Sequence, residues 1–386
     1  MNILFIGSSA DWHVDLWVKY FTKDHAVYLF SDKEDYLSDQ PFEDVTIIES
    51  TGYLGGFLNA VQSNSHFLYQ VNKLISARYF ARQIDREIQK HNIDIVHAHS
   101  LYYGFVASYI KSDIPVVFTP MGSDVIIHAQ NSRIYRYMAC HAFERADVIT
   151  GDSVLLQNQG YKVGARRSSN YVIQNGVDSA IFFPKKNSLR EKYSVADDEV
   201  LLFSPRGITE IYNIDVIIES LGKLKNRGYK FKCMFSFAFG DEYSERLKTQ
   251  ISRLGLEDEV IWLGFLTYED MAEHYNVADV VISVPSSDSS PKSVYEAMFC
   301  KKPIVVTDLE WSYELLSECD CFIRAGVRDA ESLSQAVCRL IDDSTYAGEI
   351  AINALQYAHR YFDYAKNMQH MENIMLQSIG GVEHVS

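Results

Sequence analysis

The chain contains no apolar run approaching the roughly 18 residues that a membrane-spanning helix needs, so no span is expected. Its start, Met1-Asn2-Ile3-Leu4-Phe5-Ile6-Gly7, has no basic segment ahead of a long apolar one. It reads as a first strand and not as a secretion signal, and a cytoplasmic protein is expected. Cysteine is sparse: six residues, Cys140, Cys233, Cys300, Cys319, Cys321 and Cys338, none at paired metal-ligand spacing. Only Cys319 and Cys321 are close, and two residues apart on a strand suits neither a disulfide nor a zinc knuckle. All six are expected to be reduced, and no metal site is expected. Basic residues are outnumbered, 36 Lys and Arg against 51 Asp and Glu, and the net charge of −15 argues against nucleic acid as a partner. No G-x-G-x-x-G follows a strand, which weakens any dinucleotide reading. No internal repeat or low-complexity tract appears either.

What is present is enough apolar material for more than one core. At 386 residues with 47% hydrophobic side chains, about two domains are expected. Buried strands are read at residues 2–8, 25–30, 45–48, 93–96, 115–119, 146–150, 200–204, 230–239, 260–264 and 279–284, with helical patterns between them. That alternation is the signature of parallel α/β sheets. The Lys-, Ser- and Asp-rich piece from Lys185 to Asp198 reads as the linker between the halves.

The chemistry concentrates in Pro285 to Cys300, PSSDSSPKSVYEAMFC, directly after the strand Asp279–Val284. Ser290 is a suitable N-cap and Pro291 a suitable first helical residue, so a helix should begin near Lys292. The free amides of its first turn favour an anion such as phosphate. Asp288 and Glu296 bracket the turn, and an acceptor-only carboxylate pair suits vicinal sugar hydroxyls. A capped helix with two solvated acids is the plain alternative.

Elsewhere two readings stay open at each feature. Gly7 and Ser8 after the first strand form a small-residue turn where a ligand could approach the backbone, with Asp11 and His13 beside it, or an ordinary tight turn. His97 and His99 stand two apart where the chain turns into a loop, one expected in the core and the other towards a ligand. An aromatic and glycine-rich segment, Thr51 to Tyr69, precedes a helix carrying Arg78, Arg82, Arg86 and Lys90 at four-residue spacing on one face. That face is either solvated, tempered by Asp85 and Glu87, or a dock for an anionic membrane or lipid-linked phosphate.

Several of these strings resemble one family in order. Pro285–Cys300 resembles the donor-binding E-x7-E region of the retaining glycosyltransferase family four, with Asp288 in place of the first acid and Glu296 as the second. Glu296-Ala297-Met298, followed by Lys302-Pro303-Ile304-Val305-Val306-Thr307-Asp308, is similar to the family's helix and next strand. Asn175-Gly176-Val177-Asp178 with Phe182-Phe183-Pro184 is among its most recognisable features. Val260 to Leu266 is similar to the strand and loop that hold the nucleotide base, which marks Gly264 and Leu266. Arg206, at the end of the second half's first strand, resembles the diphosphate-binding arginine, and its planar fork suits two phosphate oxygens.

Two positions depart from the family. Pro120-Met121-Gly122-Ser123-Asp124 resembles the H-G-S-D loop with Met121 where the histidine belongs, and Ile211 stands where a lysine normally follows the arginine. Lys292, at the helix start, is the candidate replacement for that lost charge.

The resemblance implies a GT-B fold, an α/β architecture of two Rossmann-like domains with parallel sheets facing across a cleft. Residues 1–184 would form the acceptor-side domain, 185–360 the nucleotide-sugar domain, and 361–386 a terminal helix crossing back. It further implies transfer of a sugar, with retention, from a nucleotide-sugar, UDP- or GDP-linked, to a hydroxyl of a glycan or lipid-linked saccharide. No cofactor or metal would be required. Asp288, Arg206, Lys292 and Asp124 are then expected to carry catalysis. Glu296, Ser293, Gly264, Leu266, Gly7 and Gly122 would bind donor, and His13, His99 and Asp11 would lie on the acceptor side. The work would be done in the cytoplasm or at the inner membrane face. Rival expectations are a catalytically silent subunit of the same fold, kept open by Met121 and Ile211, and a nucleotide-sugar 2-epimerase.

Overall fold

The computed structural model describes residues 1–8, 12–31, 44–50, 66–236 and 242–380. By contacts the chain divides into two compact units, Met1–Asn175 with Lys366–Ser386, and Gly176–Ala365. The sequence placed the corresponding boundaries at 184/185 and 360/361.

The first unit carries β1 (Asn2–Ile6), β2 (Ala26–Ser31), β3 (Val45–Glu49), β4 (Ile95–His99), β5 (Val116–Thr119), β6 (Val148–Gly151) and β7 (Asn170–Val172), in the order β3-β2-β1-β4-β5-β6-β7. Every pairing is parallel. Strands such as β4 and β5 are buried at every position, which explains why they read as unbroken apolar runs and not as alternations. The terminal helix, Tyr364–Gly380, packs on this unit from Lys366 onward: Glu372 Oε1 lies 2.6 Å from His25 Nε2, and Asn367 Nδ2 donates to the Gln174 carbonyl at 3.2 Å.

The second unit carries β8 (Val200–Ser204), β9 (Phe231–Ser236), β10 (Val260–Gly264), β11 (Val280–Ser283), β12 (Ile304–Thr307) and β13 (Ile323–Ala325), in the order β10-β9-β8-β11-β12-β13, again parallel throughout. Strand β9 stops at Ser236 where the sequence suggested Phe239, and residues 237–241 lie outside the described residues. In both sheets the strand order reverses once, between β1 and β4 and between β8 and β11. Such a switch opens a crevice at the carboxyl ends of the two strands, because their following connections depart in opposite directions. The second sheet's reversal therefore places the residues after Ser204 beside those after Ser283.

Gly176 answers for the Asn-Gly string. Its φ is +75°, and a Cβ there would lie 2.6 Å from the Tyr364 Cα. Val177 N–H donates to the Phe362 carbonyl at 2.8 Å and Tyr364 N–H to the Val177 carbonyl at 3.1 Å, so residues 176–177 run beside residues 362–364. Only glycine permits both the turn and the contact.

One expectation about redox state is corrected. Cys319 and Cys321 form a disulfide, with Cα atoms 5.3 Å apart. They sit in the irregular segment before β13 and not on a strand, so their side chains converge. Cys140, Cys233, Cys300 and Cys338 are free.

Candidate active site

The crevice between β8 and β11 is built by three segments of the second unit. The first is Pro205-Arg206-Gly207, which leaves β8. The second is the loop from Pro285 to Ser290, which leaves β11. The third is the helix Lys292–Phe299, whose residues from Ser293 to Phe299 are all buried. This helix begins at the expected residue but with a different cap. Pro291 is the N-cap, not Ser290, and no side chain caps the first turn. The loop before it is held by Asp288 instead, whose Oδ1 accepts from the amides of Ser289 at 2.8 Å and Ser290 at 3.3 Å.

Arg206 is the centre of this crevice. Its Nη2 lies 3.0 Å from Asp288 Oδ2, and its Nη1 donates to Ser293 Oγ at 3.2 Å. Its guanidinium lies 4.1 Å from the centre of the Tyr212 ring. Arg206 and Asp288 side chains are each 14% exposed, so the ion pair is largely removed from water and its geometry is held on several sides. Ser293 Oγ also lies 3.3 Å from Ser283 Oγ, tying the helix start to the end of β11.

Glu296 lies one turn further along the same helix and is 6% exposed. Its Oε2 accepts from the hydroxyl of Tyr275 at 2.9 Å, and the same hydroxyl lies 3.0 Å from the Ser293 carbonyl. Burial pushes the Glu296 carboxyl above its ordinary range, opposed by the Lys292 charge, the Tyr275 hydroxyl and the Arg206 charge. Burial raises the Tyr275 phenol well above its ordinary value, and the Glu296 charge adds to this. Tyr275 comes from the helix Tyr268–Val277, which starts with a full capping box between Thr267 and Asp270.

Lys292 is the first residue of the helix that carries Glu296. Its ammonium lies 2.6 Å from the Tyr268 hydroxyl and 4.5 Å from that ring's centre. Ile211, at the missing lysine's position, is 48% exposed. Gly264, at φ +75° with open space around a Cβ, ends β10 and turns the chain outward. Phe265 is then 80% exposed, while Leu266 tucks against the core.

The first unit treats its expected residues unevenly. Gly7 lies at the end of β1, where a Cβ would meet Val14 Cγ2 at 3.0 Å. Gly122 turns with φ +59° and its carbonyl accepts from the Val125 and Ile126 amides. Asp124, expected in catalysis, is a brace: Oδ2 accepts from the Leu101 amide at 2.7 Å, and both oxygens lie 3.1 Å from the Met121 amide. Burial raises its carboxyl, and those backbone donors oppose the rise. His99, expected on the acceptor side, is 1% exposed, with its ring 4.1 Å from that of His97 and 5.3 Å from Trp17. The loop expected at these histidines is strand, because β4 continues through His99, and both rings belong to the core. His97 Nε2 pairs with Thr119 Oγ1 at 2.7 Å. Asp11 and residues 51–65 lie outside the described residues, and His13 falls within the helix Trp12–Phe21. Among the described residues no cluster of three metal-ligating side chains occurs, and no helix is long and apolar enough to cross a membrane.

Three tyrosines were not singled out in the sequence: Tyr212, Tyr268 and Tyr275. Tyr212 follows the anomalous Ile211 directly, and Tyr268 and Tyr275 are seven apart on one helix, a spacing that repeats a face.

The two halves each match a family sequence model. Glycosyltransferase Family 4 matches residues 11–180, and Glycosyl transferases group 1 matches residues 185–358. With both matched in order, the chain belongs to the family-four glycosyltransferases of GT-B fold. An uncharacterized glycosyltransferase of Methanocaldococcus jannaschii is 20% identical over 82% of this chain and 84% of its own. The alpha-monoglucosyldiacylglycerol synthase of Streptococcus pneumoniae is 22% identical over 76% of this chain and 66% of its own. Among solved structures, Anabaena HepE in complex with UDP superposes with a TM-score of 0.79 at 19% identity, covering 98% of this chain and all of that one.

Proposed function

We propose that this glycosyltransferase moves a sugar from a UDP- or GDP-linked donor to a hydroxyl of a glycan or lipid-linked saccharide, retaining the anomeric configuration. The observation that carries this reading is the meeting of Arg206 with Ser293 at the uncapped start of the Lys292–Phe299 helix, 3.2 Å apart. A guanidinium and a helix N-terminus aimed at one point suit a departing diphosphate, whose charge grows as the glycosidic bond breaks. Asp288 would take hydroxyls of the sugar, Glu296 those of the ribose, and the Gly264–Leu266 loop the base.

Retention without a protein nucleophile requires the acceptor hydroxyl to attack on the face that the diphosphate leaves. The acceptor's proton then passes to the departing diphosphate oxygen, and the new C–O bond replaces the old one on the same side. Arg206 and the helix amides meet the leaving charge, so the reading asks for no metal and no cofactor. Complexes of Anabaena HepE with UDP and with UDP-glucose, and the diacylglycerol-linked product named for the pneumococcal relative, support a nucleotide-sugar donor and a glycan or glycolipid acceptor.

Calorimetric titration with UDP-, GDP-, ADP- and CMP-sugars, followed by NMR of the product anomer, tests the reading. Submicromolar to millimolar binding of one donor and a product with the donor's own anomeric configuration are expected. Binding of none would leave the silent-subunit reading, which Ile211 and the engagement of Lys292 by Tyr268 favour.

The exposed face of the helix His66–His91 adds a surface to this reading. Arg78, Arg82, Arg86 and Lys90 are all exposed along it, which suits contact with anionic lipid at the cytoplasmic membrane face. Replacing all four by alanine should abolish sedimentation with phosphatidylglycerol vesicles, and unchanged sedimentation would remove the membrane from the account.

A further inference from the structure

The cation best placed for the diphosphate has partners within the protein. Arg206 Nη2 faces Asp288 Oδ2 at 3.0 Å, an ion pair without hydrogen-bond geometry, and Nη1 donates to Ser293 Oγ at 3.2 Å, with the Tyr212 ring against the guanidinium. Asp288 accepts through Oδ1 from the Ser289 and Ser290 amides, while Oδ2 makes only the ionic contact with Arg206. We propose that Asp288 is a specificity-determining residue that makes the site favour an intact nucleotide-sugar over the free nucleoside diphosphate, by exchanging Arg206 for sugar hydroxyls when the donor arrives. The proposal rests on the nucleotide-sugar reading of this crevice.

The argument is one of unpaired charge. A diphosphate that takes the fork of Arg206 bidentately displaces Asp288 Oδ2, which is held to the guanidinium by charge and not by a hydrogen bond, so the two anions compete for one cation. The displaced carboxylate stays anchored by Oδ1 to the Ser289 and Ser290 amides, so it remains beside the incoming phosphate. With its side chain 14% exposed, little water is on hand to replace the lost partner, and two like charges then face each other. A nucleoside diphosphate offers Asp288 no donor in exchange. A nucleotide-sugar does, since the hydroxyls of its sugar can donate to the oxygen that Arg206 released. The exchange is thus nearly balanced for substrate and uncompensated for the nucleoside diphosphate product. The pair lowers product inhibition without a moving loop.

Aspartate suits this role better than the glutamate of the family pattern. Its shorter side chain lets one oxygen hold its own loop while the other holds Arg206, and a longer chain would need a different loop to do both.

The test compares wild type with Asp288→Asn, which keeps an oxygen for the Ser289 and Ser290 amides but removes the competing charge. Asp288→Ser serves as a second variant, and thermal melts confirm that each is folded. The probes are the paired ligands UDP and UDP-glucose, and GDP and GDP-mannose, titrated calorimetrically without acceptor. For the pair that wild type binds, Asp288→Asn should tighten the nucleoside diphosphate by roughly tenfold. The sugar-bearing ligand should be unchanged or weaker, so that the preference for it collapses. Unchanged or weaker binding of the diphosphate in both folded variants overturns the exchange. If wild type binds none of the four ligands, what fails is the nucleotide-sugar reading itself, a result distinct from the failure of the exchange.

Discussion

The hydroxyl of Tyr275 donates to Glu296 Oε2 at 2.9 Å, while Glu296 Oε1 makes no hydrogen bond among the described residues. One oxygen of the buried acid is therefore fixed by the protein, and the proposed ribose contact falls to the other. Because the same hydroxyl lies 3.0 Å from the Ser293 carbonyl, a single proton serves either the ionised acid or the helix start. Charge assistance favours the acid whenever it is ionised.

Removing that proton alone tests the arrangement. Tyr275→Phe keeps the ring in its packing with Phe203 at 5.2 Å and Phe182 at 6.0 Å, and so should still unfold cooperatively, melting roughly 2–12 °C below wild type. It leaves a buried carboxylate without its donor, which costs on the order of 1–3 kcal/mol. Calorimetry should show nucleotide affinity falling about tenfold or more.

Glu296 also predicts a pH dependence. Its carboxyl is raised by burial, so the folded state holds the proton more tightly than the unfolded chain. Stability from this group is therefore greatest below the ordinary glutamate range and falls as pH rises through the raised value. Glu296→Gln removes the buried charge and keeps the shape. Its melting temperature should equal that of wild type near pH 4 and exceed it near pH 7, by roughly 2–4 °C for about 1 kcal/mol. The same variant should bind nucleotide more weakly at pH 7, separating stability from function.

Lys292 bears on whether a second cation serves the diphosphate. Its ammonium rests against Tyr268 at 2.6 Å, one turn from Glu296. Lys292→Ala should slow turnover about tenfold, while Lys90→Ala, on an exposed face of the first unit, should leave it unchanged. Steady-state rates at saturating donor check this. Equal rates for Lys292→Ala and wild type would show that Arg206 and the helix amides suffice.

Gly176 should not tolerate a side chain. At φ +75° with Tyr364 Cα at 2.6 Å from a built Cβ, Gly176→Ala meets strain and a backbone clash together. A loss of about 1–3 kcal/mol from the backbone strain alone is expected in denaturant unfolding.

Much of the architecture was legible because parallel strands buried on both faces leave dense apolar runs. Strand β11 and the helix from Lys292 stand where the residues put them. Arg206 and Asp288 meet because both follow strands, β8 and β11, that the sheet sets side by side. What remained hidden depended on packing at long range. Tyr275 is 21 residues from Glu296, and nothing local distinguishes it from an ordinary core tyrosine. Asp124 carried a motif's promise, and its partners are the amide of Met121 in its own loop and that of Leu101 at the start of the helix Leu101–Ala107. The disulfide at Cys319 escaped because the segment before β13 was read as strand, where its two side chains would not have converged. The Ser290 cap failed because Pro291 takes the cap position and the helix starts one residue later than that cap requires.

The most direct test is a crystal structure of the protein with the nucleotide diphosphate that most raises its melting temperature. The account predicts phosphate oxygens within hydrogen-bond distance of the Arg206 guanidinium and of the Ser293 amide, with the ribose hydroxyls on Glu296. A nucleotide bound away from Arg206, or one that leaves Arg206 paired with Asp288 and its phosphates elsewhere, would contradict it.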